Sequence, residues 1–274
     1  MAWLDGPRRK LARADEHLRV LEAQMRKKLD AKAYTVTREA QTKVTESGTE
    51  TRVEGMQLLD PPELPPEWSL LIGDFAYSAR GALDHLAWQL ALRNKWRESR
   101  ARKAGKPWPP KNTEFPIFVC VTNKNDARWL KTKLSYFRPA DRNTIAAEQP
   151  YKRGKLAHSQ ALWLLHRIRN TDAHRTLHTV LASVPASALG EMLKRVPTPE
   201  GGEAFYFPEL LKKELAAVQL NTGDVLQTTL KVEANFSPFV AFDQRGADFH
   251  GQEVLPLLHR CRDEVERIMG LFQP

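Results

Sequence analysis

The strongest helical pattern in the chain runs from Trp68 to Arg93, in the stretch WSLLIGDFAYSARGALDHLAWQLALR. Its apolar residues recur every three or four positions, which places them on one face of an α-helix. We expect this face to lie in the core, and it comprises Leu71, Phe75, Ala79, Ala82, Leu83, Leu86 and Leu90. The proline-rich stretch 60–66 immediately before it marks where the preceding structure ends.

The same periodicity predicts further helices, at 5–30, 126–136, 139–147, 155–174, 209–218 and 252–272. Alternation of apolar and polar residues, or a short apolar run, predicts strands instead. These lie at 34–44, 49–58, 115–121, 177–184, 226–236 and 239–242, and the first two form a hairpin around the turn 46–48.

Because helices and strands occur in runs, the pattern favours an α+β fold. We expect a helical core of long amphipathic helices with antiparallel strands from the N-terminal hairpin and the C-terminal segment. The expected organisation is a single α+β domain over 1–274, with a helical core at about 68–178. The expected domain also contains a basic loop at 93–114 and β-rich segments at about 34–58 and 178–243.

The composition excludes several classes of protein. With 42% hydrophobic and 27% charged residues among 274, the chain has enough apolar side chains for a packed core. No apolar run is long enough to span a membrane, and the N-terminus carries no apolar signal segment. Only two cysteines are present, Cys120 and Cys261, far apart in the sequence. We therefore expect a cytoplasmic protein without disulfides.

The positive charge is concentrated in one part of the chain. Between Arg93 and Lys155 there are 17 basic and 5 acidic residues, a net charge of +12, whereas the whole chain carries +9. Basic side chains beside aromatic rings can attract phosphates and stack on bases. The predicted nucleic-acid-binding residues are Arg93, Lys95, Trp96, Arg97, Arg100, Arg102, Lys103 and Lys106. The alternative is a solvated helix end followed by a proline-rich loop.

The predicted helix at 155–174 carries an unusual polar face. Four polar residues, His166, Asn170, His174 and His178, follow one another at i,i+4 spacing. An apolar stripe on the same helix runs directly into Asp172, whose carboxylate marks either the exit from the core or a buried acid that needs a partner.

Within this helix, the hexapeptide Arg169-Asn-Thr-Asp-Ala-His174 resembles the R-x4-6-H motif of the HEPN superfamily. The resemblance implies a compact helical domain, and many members are metal-independent ribonucleases that act as dimers in defence or toxin systems. It would make Arg169 and His174 the catalytic pair, with Asn170 as the supporting polar group. RNA as substrate and a homodimer as the active form are what this resemblance implies.

A looser resemblance extends over most of the chain. The stretches 77–90, 115–118, 149–151 and 172–175 are similar to those of a family of uncharacterised bacterial and phage proteins. This likeness implies no activity.

The two residue types fit RNA cleavage. Histidine can take the proton of a 2′-hydroxyl near neutral pH, and arginine can hold charge on the phosphate oxygens. Residues five apart on a regular helix lie about 140° apart around its axis. Arg169 and His174 therefore converge only through a helix break or a second subunit. The predicted supporting residues are Asp172, Arg175, His166, His178, Arg80, Asp84 and His85.

Alternative functions remain open. Arg167 or Arg175 could serve as the phosphate ligand, and the i,i+4 pair of Arg80 and Asp84 is also typical of a structural ion pair. His174 and His178 have the spacing of a zinc site but lack the glutamate of HExxH, and we predict no metal and no cofactor. The rival hypotheses are a non-catalytic binding or scaffold protein with a structural polar network, and nucleic-acid binding without chemistry.

Overall fold

A computed structural model of the protein describes residues 2–29, 34–45, 48–58, 63–182, 194–197, 203–206, 225–234 and 239–272. The chain divides into two compact units. The first comprises 1–25, 64–180 and 240–274, and the second comprises 26–63 and 181–239. The organisation of residues 1–274 as a single domain stays a prediction.

Helices make up most of the first unit. After a 3-10 turn at Ala2–Leu4, the α-helices are α1 (Asp5–Leu29), α2 (Glu67–Leu92), α3 (Lys95–Lys103), α4 (Lys124–Leu134), α5 (Pro139–Ala147), α6 (Ala161–Asp172) and α7 (Val254–Gly270). A 3-10 segment at Pro150–Ser159 precedes α6.

The core of this unit forms where α2, α6 and α7 pack against one another. Helix α1 also contributes its apolar face to the core, with the buried residues Leu11, Ala14, Leu18, Leu21 and Met25. Polar contacts at the edge of the core hold it as well: Trp68 Nε1 donates to Gln24 Oε1 at 3.1 Å, and Arg262 Nε donates to Asp15 Oδ1 at 3.0 Å. The largest side chains that are almost completely buried are Trp68, Phe75, Phe115, Phe137, Phe242 and Phe249. Burying such side chains is the main favourable term in folding.

The backbone of the second unit contains strands. Strand β1 (Tyr34–Thr45) pairs antiparallel with β2 (Gly48–Leu58) on one side and with β6 (Val225–Ala234) on the other. A short antiparallel pair joins β4 (Lys194–Pro197) and β5 (Glu203–Tyr206). Strand β3 (Thr179–Ala182) is divided between the two units, and β7 (Phe239–Phe242) belongs to the first unit from Val240 onward. The hairpin predicted at 34–58 is thus confirmed at the level of the backbone.

The α+β fold class is nevertheless wrong. Over residues 3–29, 63–179 and 240–272, whose side chains are described, 68% of residues are helical and 3% are in strands, with a single strand and no sheet. The molecule is mostly helical there, and the single strand in these residues is β7, whose Val240, Ala241 and Phe242 are buried. Alternation of polar and apolar residues predicts a local extended backbone but does not determine which core the strand joins.

The stretch 115–121 is not a strand, although its apolar residues predicted one. Side chains and the backbone amide of Tyr151, which donates to the carbonyl oxygen of Phe118 at 3.0 Å, hold its backbone in place of a neighbouring strand. Asp84 Oδ1 accepts from the Phe115 amide at 2.9 Å, and Gln149 Oε1 accepts from the Phe118 amide at 3.0 Å. Pro116 has no amide hydrogen to offer a sheet.

The helix predicted at 155–174 is also wrong in extent. Gly154 has a left-handed backbone (φ 54°) inside the 3-10 segment, and α6 begins only at Ala161 and ends at Asp172. Helices α1, α2, α4, α5 and α7 confirm the predictions to within about two residues. The basic loop predicted at 93–114 is wrong in its first part, where Lys95–Lys103 form α3 with Asn94 as its N-cap. The helix predicted at 209–218 lies outside the described residues.

None of the described helices is both long enough and apolar enough to cross a membrane.

Candidate functional site

A chain of side-chain hydrogen bonds lies on the last two turns of α6. Asn170 is at its centre: its Oδ1 accepts from Arg169 Nη1 at 3.0 Å, and its Nδ2 lies 2.9 Å from Nε2 of His166. An amide nitrogen can only donate, so His166 Nε2 is the acceptor in this bond and carries no proton. The predicted i,i+4 relation of His166 and Asn170 is therefore a direct contact.

His166 is held in its neutral form. Burial lowers its pKa to about 4, and the positive charges of Arg80, Arg169 and Arg167 act in the same direction against the opposing charge of Glu114. Its Nδ1 is buried without a hydrogen-bond partner among the described residues. A second proton would turn Nε2 into a donor and break the bond from Asn170.

Arg80 of α2 lies near enough to His166 for its charge to act on that ring. Only 5% of the residue is exposed, and burial lowers the pKa of its guanidinium. Its Nη2 donates to the carbonyl oxygen of Phe115 at 2.7 Å, and its Nη1 lies 2.7 Å from Asp84 Oδ1. Burial raises the pKa of Asp84, while the charge of Arg80 opposes that shift.

Glu114 and Lys133 complete the charged surroundings. Lys133 Nζ donates to Glu114 Oε1 at 2.7 Å and to the carbonyl oxygen of Asn112 at 3.0 Å. Burial alone would raise the pKa of Glu114, but the hydrogen bond and charge of Lys133 outweigh it and hold that pKa below its usual value. No motif marks either residue, and only the fold brings Glu114 near enough for its charge to act on His166.

Arg169 differs from the other cations of this site. Arg80 pairs with Asp84 and Lys133 pairs with Glu114, but no carboxylate among the described residues lies within ion-pair distance of Arg169. Its guanidinium is half-buried, and its charge acts on Arg80, Asp84 and His166. Two guanidinium groups near each other, one of them uncompensated, favour the binding of an anion.

The end of α6 separates the predicted polar residues into two groups. The helix ends at Asp172, so only His166 and Asn170 share the predicted face. His174 and Arg175 lie in the following turn, where both backbone amides donate to the carbonyl oxygen of Thr171. Both side chains are exposed, as is that of His178. The prediction that four residues form one continuous face is wrong, because the helix is too short.

Asp172 is not a buried acid. It is exposed at the end of α6, where its carboxylate lies against Gly73 of α2. Partial burial and the neighbouring charge of Asp74 raise its pKa. The apolar stripe of α6 therefore ends where the chain leaves the core.

His85 lies elsewhere. Its ring is exposed and its Nδ1 faces Gly6 of α1. It takes no part in the contacts of Arg80 and Asp84 described above.

The basic segment forms an exposed surface, with no buried residue in α3. Arg97 and Arg100 lie 5.1 and 5.0 Å from the centre of the Trp96 ring, and Arg93 lies 4.8 Å from that of Trp3. Lys95 pairs with Glu98 at 2.9 Å. The remaining predicted residues are exposed, namely Arg102, Lys103 and Lys106. Their role in binding nucleic acid stays a prediction.

Within the described residues, no group of three or more His, Cys, Asp or Glu side chains is placed to hold a metal ion. The chain matches no protein family profile, and no curated protein and no solved structure is significantly similar to it.

Proposed function

We propose that the protein is a metal-independent endoribonuclease, similar to those of the HEPN superfamily, with its site at the C-terminal end of α6. The observation that carries the proposal is the half-buried guanidinium of Arg169, which Asn170 orients and which has no carboxylate partner among the described residues. Such a group can bind a phosphodiester and stabilise the charge that develops on it during cleavage.

In the proposed reaction, His174 takes the proton of the 2′-hydroxyl. The 2′-oxygen then attacks phosphorus, the bond to the 5′-oxygen breaks, and that oxygen takes up a proton. Products with a 2′,3′-cyclic phosphate and a 5′-hydroxyl result. His174 lies exposed in the turn that follows the end of α6 at Asp172, from which it is accessible to a bound RNA strand or to a second subunit.

The remaining residues have supporting roles in the proposal. His166, which is neutral, positions Asn170 and through it Arg169. We further propose that the enzyme acts on cytoplasmic RNA as a homodimer in a defence or toxin system. The second subunit would place another copy of the exposed His174 and Arg175 at the site.

The test is cleavage of single-stranded RNA in the presence of EDTA. We expect Arg169→Ala and His174→Ala to lower the rate by at least about 100-fold, the size typical of a lost general base or charge-stabilising group. The matched controls are Arg13→Ala and His259→Ala, exposed residues of α1 and α7, which should cleave at the wild-type rate. Equal rates for all four variants, or no cleavage by the wild-type protein, would refute the proposal.

One observation favours a second candidate, a non-catalytic protein whose polar network is structural. Arg80 is bound on both sides, by Asp84 and by the backbone of Phe115, as expected for a group that stabilises the core. In this alternative His174→Ala removes no activity, and variants of Arg80 and Asp84 lower only the stability.

A further inference from the structure

Three tryptophan rings at the surface each have a cation nearby. Trp96 is 60% exposed and lies beside Arg97 and Arg100, and Trp129 is 57% exposed with Lys133 Nζ at 5.8 Å from its ring centre. Trp163 is half-buried, with the guanidinium of Arg167 at 5.8 Å. Large exposed aromatic rings are characteristic of binding surfaces.

The Trp163 ring adjoins the candidate site. The centres of the Trp163 and His166 rings are 5.5 Å apart, with the ring planes tilted by 34°. The indole Nε1 of Trp163 donates to Asp248 Oδ2 at 2.7 Å, which fixes the orientation of the ring. Its neighbour His166 is the residue that accepts from Asn170.

A series of contacts connects the candidate site to the Trp129 ring. Glu114, whose charge acts on His166, accepts from Lys133, and Lys133 lies over Trp129 one helical turn away on α4. Lys133 is itself buried and fully engaged, so it supports the Trp129 ring rather than presenting a free charge.

The helix that carries Trp96 is connected to the end of α4. Arg97 Nε donates to the carbonyl oxygen of Ser135 at 3.1 Å, and Asn94 Nδ2 donates to that of Tyr136 at 3.0 Å. These bonds attach the start of α3, which carries Trp96, to the residues that follow Lys133. We name Trp163, Trp129 and Trp96 the tryptophan track.

We propose that the tryptophan track binds single-stranded RNA and leads the strand to Arg169. This inference rests on the proposed function. The rings stack with unpaired bases, and Arg97, Arg100 and Arg167 contact the phosphates. A duplex hides its base faces, so exposed rings favour a single strand. Charge complementarity supports an anionic polymer, because 17 basic and 5 acidic residues lie between Arg93 and Lys155.

The experiment measures the Kd of an oligouridylate with 2′-O-methyl groups, which binds but cannot be cleaved, by fluorescence anisotropy. We expect Trp96→Ala and Trp129→Ala each to weaken binding by roughly fivefold or more, the range found for the loss of one stacked base. Trp96→Phe, which keeps an aromatic face, should retain most of the affinity. The matched control is Trp88→Ala, an exposed tryptophan of α2 with no cation over its ring among the described residues, and its Kd should be that of the wild type.

A second arm uses a duplex of the same length, which should bind more weakly and without dependence on Trp96 or Trp129. Equal Kd values for the wild type and both alanine variants would overturn the proposal, as would tighter binding of the duplex. The two proposals fail separately: tryptophan-dependent binding without cleavage of unmodified RNA refutes only the ribonuclease, and cleavage without tryptophan-dependent binding refutes only the track.

Discussion

The side-chain amide of Asn170 donates to Nε2 of His166 over 2.9 Å, one helical turn away on α6. The same Asn170 accepts from Arg169 through its carbonyl oxygen. Because only a neutral imidazole can accept this bond, the orientation of Arg169 depends on the protonation state of His166.

This dependence predicts a loss of stability in acid. Burial lowers the pKa of His166 from 6.5 to about 4, so the unfolded chain binds a proton at a higher pH than the folded protein does. The free energy of unfolding should therefore fall as the pH decreases from about 6.5 to about 4, by at most about 3 kcal/mol. In His166→Gln this part of the pH dependence should be missing. Urea denaturation of both proteins across this range measures the difference, and coincident pH profiles would contradict the assignment.

Loss of Arg80 should be far more costly than loss of a surface arginine. Arg80→Met leaves the Asp84 carboxylate and the Phe115 carbonyl without their partner, and we expect a decrease of about 3–5 kcal/mol in the free energy of unfolding. Arg13→Ala, which breaks an exposed pair with Glu16, should cost less than about 1 kcal/mol. Chemical denaturation compares the two, and similar costs would show that the buried pair does not stabilise the core.

Gln149 is a second buried polar group with a large predicted effect. It is 0% exposed, its Nε2 donates to the carbonyl oxygens of Pro116 and Ile145, and its Oε1 accepts from Phe118. Gln149→Leu leaves these backbone groups buried without a hydrogen-bond partner and should lower the free energy of unfolding by about 2–4 kcal/mol. The control is Gln160→Leu, whose exposed bond to Leu156 should be worth less than about 1 kcal/mol. A thermal melt of Gln149→Leu that matches the wild type would disprove the prediction.

The contact of Gly73 with Asp172 predicts a non-additive pair of substitutions. Alanine in place of glycine inside a helix stabilises by about 1 kcal/mol, but a Cβ at position 73 would overlap the Asp172 carboxylate. Gly73→Ala should therefore stabilise the Asp172→Ala protein by about 0.5 kcal/mol or more beyond its effect on the wild type.

The control for this pair is Gly81→Ala, since a Cβ there meets only the Lys10 side chain, at an ordinary 3.7 Å from Cδ and 4.0 Å from Cε. It should stabilise both backgrounds equally. An identical effect of Gly73→Ala in the two backgrounds would show that the carboxylate moves aside at no cost.

Most helices of the first unit could be predicted because each carries its own periodic face. Helix α2 extends over Glu67–Leu92 against a predicted 68–93, and α7 over Val254–Gly270 against 252–272. The segment 115–121 could not be predicted, because Asp84 and Gln149, which satisfy its backbone, lie 31 residues away from their partners. Apolar composition alone does not distinguish a strand from an extended segment held by side chains.

The candidate site was predictable only in part, for a similar reason. The spacing of His166 and Asn170 predicted their proximity, because a helix fixes it locally. Glu114 and Lys133 carried no signal, because tertiary packing alone places them beside the site. His174 was wrongly placed on the helix, since nothing in the periodicity marks the end of α6 at Asp172.

The segment Phe115–Phe118 belongs to no helix, yet Arg80 and Asp84 of α2 hold one end of it and Gln149, just beyond α5, holds the other. It therefore connects α2 with the residues at the end of α5, which are distant from α2 in the sequence. The whole segment is released only when the contacts at both of its ends are broken, so α2 and the end of α5 are expected to open as one cooperative unit in hydrogen exchange. Glu114, immediately before this segment, stays near His166 for as long as that unit remains closed.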